Sequence, residues 1–211
     1  MINAYIEMAI LYAVLFLHGS GGGIVVGEPI TFSVARELVR LLLYNIPALA
    51  LIWYLLLKAK QGIEWGISWP NKPDIVPGLI AFPGLVLIGF TVSLVSPMFE
   101  GIPASPQLLP PQNAGAWIIL VLSCISTGYL EESFFRFYIL SKREEMGLGL
   151  WRAALVSVLL FSLCHLYEGP MGFLNSALAG ALLAFVFLRF RSLHGVALAH
   201  GFYNILVYVF G

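Results

Sequence analysis

The chain has 211 residues, of which 60% are apolar and only 10% charged, with a mean hydropathy of +0.91 and no net charge. Soluble domains run at about 45–50% apolar and about 25% charged, so this composition excludes an ordinary soluble domain and points into a lipid bilayer. The balanced charge offers no broad basic face, which excludes nucleic acid as a partner.

A spanning helix needs about 20 mostly apolar residues. Candidates follow one another at 5–18, 38–57, 75–96, 115–141, 150–167, 171–189 and 193–210. The expected fold class is therefore all-α, a polytopic transmembrane helix bundle of about seven spans. The first stretch is short and contains Glu7. Met1 to Glu7 carry no Lys or Arg, unlike the positive start of a signal peptide, so this stretch is expected to stay in the protein. Gly19-Ser20-Gly21-Gly22-Gly23 reads as a flexible break, and Trp69-Pro70-Asn71-Lys72-Pro73 as a turn. Residues 101–113 hold four prolines and no charge. On α-helical spacing, Gly172, Ser176, Gly180 and Ala184 share one face, a small-residue surface suited to close helix packing.

Basic residues set the orientation. Lys58, Lys60 and Lys72, then Lys142, Arg143 and Arg152, then Arg189 and Arg191 mark three loops that alternate with loops lacking Lys and Arg. The positive-inside rule makes the basic loops cytoplasmic. Arg36 and Arg40 fall on the other side, partly offset by Glu28 and Glu37.

Against this background the buried charges stand out. Between Gly101 and Ser141 only Glu131, Glu132 and Arg136 are charged. Charges inside a span cost at least a few kcal/mol and mark function by default. Glu132 and Arg136 are four apart in the favourable order for a supporting ion pair, whereas Glu131 lies about 100° around the helix without such a partner. His165 stands alone in its span, and His200 and Asn204 share a face of the last one. At a rise of about 1.5 Å per residue, Glu131 lies roughly 16 Å from Lys142, His165 roughly 20 Å from Arg152, and His200 and Asn204 roughly 14 and 20 Å from Arg191. All are counted from the same predicted side, so three helices carry polar groups at a common depth.

A desolvated carboxylate, two histidines and an amide are the parts for attack of water on a carbonyl. One aspartate in the whole chain, Asp74, excludes an aspartyl dyad, and the zincin H-E-x-x-H pattern is absent. Glu131, His165 and His200 could still ligate a metal. Ser133 and Ser162 lack a nucleophile-elbow setting. Cys164 and His165, as neighbours on a helix, are expected to point about 100° apart. No paired-cysteine spacing suggests a disulfide. His18-Gly-Ser-Gly-Gly-Gly reads as linker, His194 as interfacial, and Glu7 and Glu168 as membrane-edge residues. Composition and depth alone leave a peptidase level with a proton-coupled carrier.

The order Glu131-Glu132-x-x-x-Arg136, then Phe161-x-x-x-His165, then His200-x-x-x-Asn204 resembles the CPBP family of type II CAAX prenyl endopeptidases and bacterial Abi, or bacteriocin-processing, proteins. The resemblance covers about residues 115–208 and divides the chain into N-terminal spans, 1–114, and a catalytic core, 115–211. It implies a metal-independent glutamic intramembrane endopeptidase in a prokaryotic plasma membrane, with no cofactor and with a cavity open to the cytoplasm. It also implies that Glu131 activates water with His165, that His200 and Asn204 stabilise the oxyanion, and that Glu132 and Arg136 support them. The partners implied are the lipid bilayer and a membrane-associated peptide or protein, which need not be prenylated. A non-catalytic scaffold or immunity protein of the same fold is the other reading. Oligomeric state is not legible.

Overall fold

The computed structural model describes residues 3–17, 29–59, 69–98 and 108–210. Its helices are α1 (Ala4–Leu17), α2 (Val34–Lys58), α3 (Lys72–Met98), α4 (Ala114–Ser141), α5 (Leu150–Leu163), α6 (Leu166–Phe190) and α7 (Leu193–Phe210). Five of them, α2, α3, α4, α6 and α7, are long and apolar enough to cross a bilayer, while α1 and α5 are shorter apolar helices. The chain is an integral membrane protein built as an all-α bundle. A lipid environment also accounts for large apolar side chains facing outward, among them Leu43, Leu79 and Phe185.

The only strand pairing among the described residues is a two-residue parallel contact, β1 (Ile30–Thr31) with β2 (Leu108–Leu109). It closes one end of the bundle, where Phe32 also meets Tyr208 near the end of α7. The other end gathers the basic loops. Ser192 donates to Asp74 at 2.5 Å, and Arg143 lies within electrostatic range of Arg191. Two of the three loops expected on one side, those around 142–149 and 191–192, and the Asp74 end of the first therefore do sit together. The glycine-rich break, the His18 motif, Glu28, Lys60 and residues 101–107 lie outside the described residues.

Arg36 and Arg40, which offend the charge rule, are absorbed locally. Arg40 pairs with the buried Glu37 at 2.7 Å and donates to Ser123 of α4, which in turn donates to Glu37 at 2.7 Å. Arg36 donates to the Thr31 carbonyl at 3.0 Å. One turn along, Asn45 donates to Ser126 and Thr127. The α2–α4 seam is thus a satisfied polar zipper.

Helix α4 is not regular throughout. Ser133–Tyr138 is wound as a π-helix, and the Ile139 amide donates to the Phe134 carbonyl five residues back. The loosened Phe135 carbonyl accepts from Ser157 of α5 at 2.5 Å. π-Turns of this kind cluster at functional sites. Helix α1 is strapped over this turn. Phe16 packs its ring 4.9 and 4.8 Å from Phe134 and Phe135, and Tyr138 donates to Glu7. Tyr12 and Tyr44 add bonds to the Leu160 and Leu15 carbonyls. Glu7, expected at a membrane edge, tethers the first helix to the core.

A candidate active site of two carboxylates, an arginine and a histidine

The site begins with two glycines. A Cβ on Gly128 would lie 2.5 Å from the Ala197 carbonyl and 2.8 Å from the Gly201 nitrogen, and one on Gly201 would lie 2.9 Å from the Ile125 Cα. Helices α4 and α7 therefore touch backbone to backbone, as small residues allow in membranes. That contact sets the next turn of α4, carrying Glu131 and Glu132, against His200 of α7.

His200 is held between the two carboxylates. Its Nδ1 lies 2.9 Å from Glu132 Oε1, and its Nε2 lies 3.5 Å from Glu131 Oε2. Glu132 is fully buried and pairs with the equally buried Arg136, Oε2 to Nε, at 3.1 Å. The four residues form a line: Arg136, Glu132, His200, Glu131. The Glu131–His200 and Glu132–Arg136 contacts are close enough for charge pairing but are not aligned as hydrogen bonds. Catalytic contacts often tighten only when substrate binds. Glu131 was expected to be unpaired, on the strength of its own helix alone; the partner comes from α7, through the Gly128–Gly201 contact.

The Arg136 terminal nitrogens have no hydrogen-bond partner among the described residues. The guanidinium instead stacks 4.6 Å from the Phe161 ring and 5.9 Å from Phe135. Such cation–π contacts are worth about 2 kcal/mol or more when desolvated. The small face of α6 makes the room. Gly180 lies beside Phe161 and Arg136, and Gly172, Ser176 and Ala184 are buried with it.

Phe161 also links the second histidine to the centre. Its ring centroid is 5.7 Å from His200 and 4.7 Å from His165. His165 Nδ1 lies 2.7 Å from the Phe161 carbonyl, and Tyr167 stacks on its ring. A nitrogen that close to a carbonyl carries the proton, so Nε2 holds the lone pair when the ring is neutral. Glu131 lies within electrostatic range of His165, but no hydrogen bond joins the two among the described residues. Asn204 is one turn beyond His200, half-buried, and its amide makes no hydrogen bond among the described residues.

Two readings change. Cys164 and His165 do not point apart, for Sγ and Nδ1 are 3.3 Å from each other. Helix α5 stops at Leu163, so helical geometry no longer separates the pair. His194 is buried rather than interfacial, with Nδ1 3.0 Å from the Tyr129 hydroxyl. Ser133 accepts from Trp53 at 3.1 Å and Ser162 bonds the carbonyl one turn back, both as structural hydroxyls.

A membrane-buried centre of acids and histidines on packed helices defines the general class, a polytopic membrane protein with a polar site inside its bundle. Residues 113–206, a little under half of the chain, match the family model described as type II CAAX prenyl endopeptidase Rce1-like. This part of the chain is similar to that family, whose description is that of a CAAX-type endopeptidase, a hydrolase. No curated protein and no solved structure matches the chain.

Proposed function

We propose that the protein is a metal-independent glutamic endopeptidase that cuts a membrane-associated peptide within the bundle. Glu131 is the general base. Its carboxylate is largely buried and paired only loosely, so it is free to take a proton from water. His165, with Nε2 unoccupied by its own backbone contact, orients that water with Glu131. His200 and Asn204, one turn apart on α7, face the carbonyl oxygen as it gains charge. Glu132 and Arg136 fix this arrangement from behind.

The single observation that carries the reading is the placement of Glu131 against His200 at 3.5 Å inside the bundle. Among the described residues no group of three or more His, Cys, Asp or Glu side chains converges as metal ligands would. On this reading the site opens to the side of the basic loops, which is cytoplasmic by the positive-inside rule. The substrate is a lipid-proximal peptide, prenylated or not.

The test uses the purified protein in detergent or proteoliposomes with a pool of defined peptides, and products read by mass spectrometry. Wild type should cleave, with the same rate in the presence of chelator, and Glu131→Gln should lose about 100- to 10,000-fold in rate, the usual worth of a general base. Flux of solute without cleavage would instead support a carrier.

A further inference from the structure

An oxyanion donor needs a hydrogen on the nitrogen that faces the substrate, and the contacts of His200 constrain where its hydrogens sit. Nδ1 is 2.9 Å from Glu132 Oε1. Glu132 is fully buried with Arg136 at 3.1 Å, and a buried arginine without an anion beside it would be costly. Glu132 is therefore a carboxylate, an acceptor only, and Nδ1 must be the donor. In neutral His200 the other nitrogen, Nε2, then has a lone pair and no hydrogen. It cannot donate to an oxyanion until it has first received a proton. The carboxyl group it faces at 3.5 Å is Glu131, the base that removes a proton from water.

We propose that His200 is the proton carrier of the reaction, taking the proton from Glu131 and delivering it to the leaving amine, and that Glu132 is the residue that commits it to this role. This inference rests on Glu131 being the base. As water oxygen bonds to the carbonyl carbon, one water proton passes to Glu131 and on to His200 Nε2. The imidazolium so formed lies between the carboxylates of Glu131 and Glu132, and its Nε2–H supports the oxyanion. When the C–N bond breaks, the same proton goes to the nitrogen. Glu131 and His200 end as they began, and one water has been added across one amide bond.

The surroundings favour this assignment. Facing His200 are Glu131 and Glu132 from α4, Arg136 behind Glu132, and the neutral Phe161 ring from α5. Helix α3, which packs along α7, has no ionisable side chain beyond Lys72 and Asp74 at its first turn, where Asp74 bonds Ser192. The ionisable side chains of α6 are Tyr167 and Glu168 at its start and Arg189 at its far end. Arg136, the one cation near His200 among the described residues, is already paired with Glu132. Glu132 resembles the buried aspartate that orients the histidine of a serine-protease triad, with a glutamate in place of the serine.

Leaving-group chemistry tests the inference. An amide nitrogen must be protonated to leave, whereas an ester oxygen leaves with far less help. The peptide cut fastest from the pool is made in two forms, with the scissile amide and as the corresponding ester. His200→Asn and Glu132→Gln are expected to lose 100-fold or more on the amide and under about 10-fold on the ester, in keeping with the worth of a general acid. Glu132→Asp, which keeps the carboxylate, should recover part of the amide activity. Equal losses on both substrates would overturn the proposal and leave His200 as oxyanion donor or support. If Glu131→Gln still cleaves both, the glutamic reading itself fails. Nitrogen-15 spectra of histidine-labelled wild type, with His200 assigned by comparison with His200→Asn, need no substrate. They should show His200 with Nδ1 protonated, and a neutral ring protonated at Nε2 alone would overturn the proposal.

Discussion

Two acid–arginine pairs lie inside this bundle, one within α2 and one within α4, each facing a neighbouring span, and they are built to opposite ends. Glu37 and Arg40 of α2 are closed by Ser123, which bonds both partners, and Arg40 reaches partly into the open. Glu132 and Arg136 of α4 are completely enclosed, the Arg136 terminal nitrogens rest on aromatic rings, and Glu132 spends an oxygen on His200. The first arrangement is saturated and ends in hydroxyls, as helix–helix glue should. The second leaves donors unfilled and ends in an imidazole that faces a further acid. Incomplete satisfaction at full burial is costly, and such sites persist where chemistry needs them.

That contrast can be broken by mutation. The largest stability effect is expected for Arg136→Met. Removing one partner of a buried pair leaves Glu132 uncompensated, at about 3–5 kcal/mol, and thermal unfolding in detergent should fall sharply with cleavage lost. Gly128→Ala comes next. Its methyl meets backbone of α7 rather than a yielding side chain, so about 1–3 kcal/mol is expected, with a loss of activity out of proportion because His200 is displaced from Glu131 and Glu132. Arg40→Met should cost about 1 kcal/mol or less, because the pair is partly exposed and sits away from the histidines, and cleavage should persist. If Arg40→Met abolished cleavage as Arg136→Met does, the distinction between the two pairs would fall.

Much of this was legible in the sequence for identifiable reasons. Long apolar runs mark spans, and the described helices fall where those runs do, although α5 ends at Leu163 rather than at 167. The grouping of polar positions at one depth came from counting residues to the nearest basic loop, and Glu131, Glu132, Arg136 and His200 do meet. What the sequence did not disclose depends on tertiary contact. The π-turn at Ser133–Tyr138, against which α1 and α5 pack, has no signature in the sequence. Gly128 and Gly201 were visible beside the motif residues, but their small size matters only once α4 and α7 are seen to touch. His194 was misread because it follows Arg191 closely, and the Cys164–His165 contact because a helix was extended past its end.

The most direct measurement is the cleavage rate of the defined peptide pool by purified wild type and by Glu131→Gln, with the unfolding temperature of each protein recorded alongside. Wild type is expected to cleave, and the variant to lose about 100- to 10,000-fold at nearly unchanged unfolding temperature. Cleavage at the wild-type rate by folded Glu131→Gln protein would contradict Glu131 as the general base.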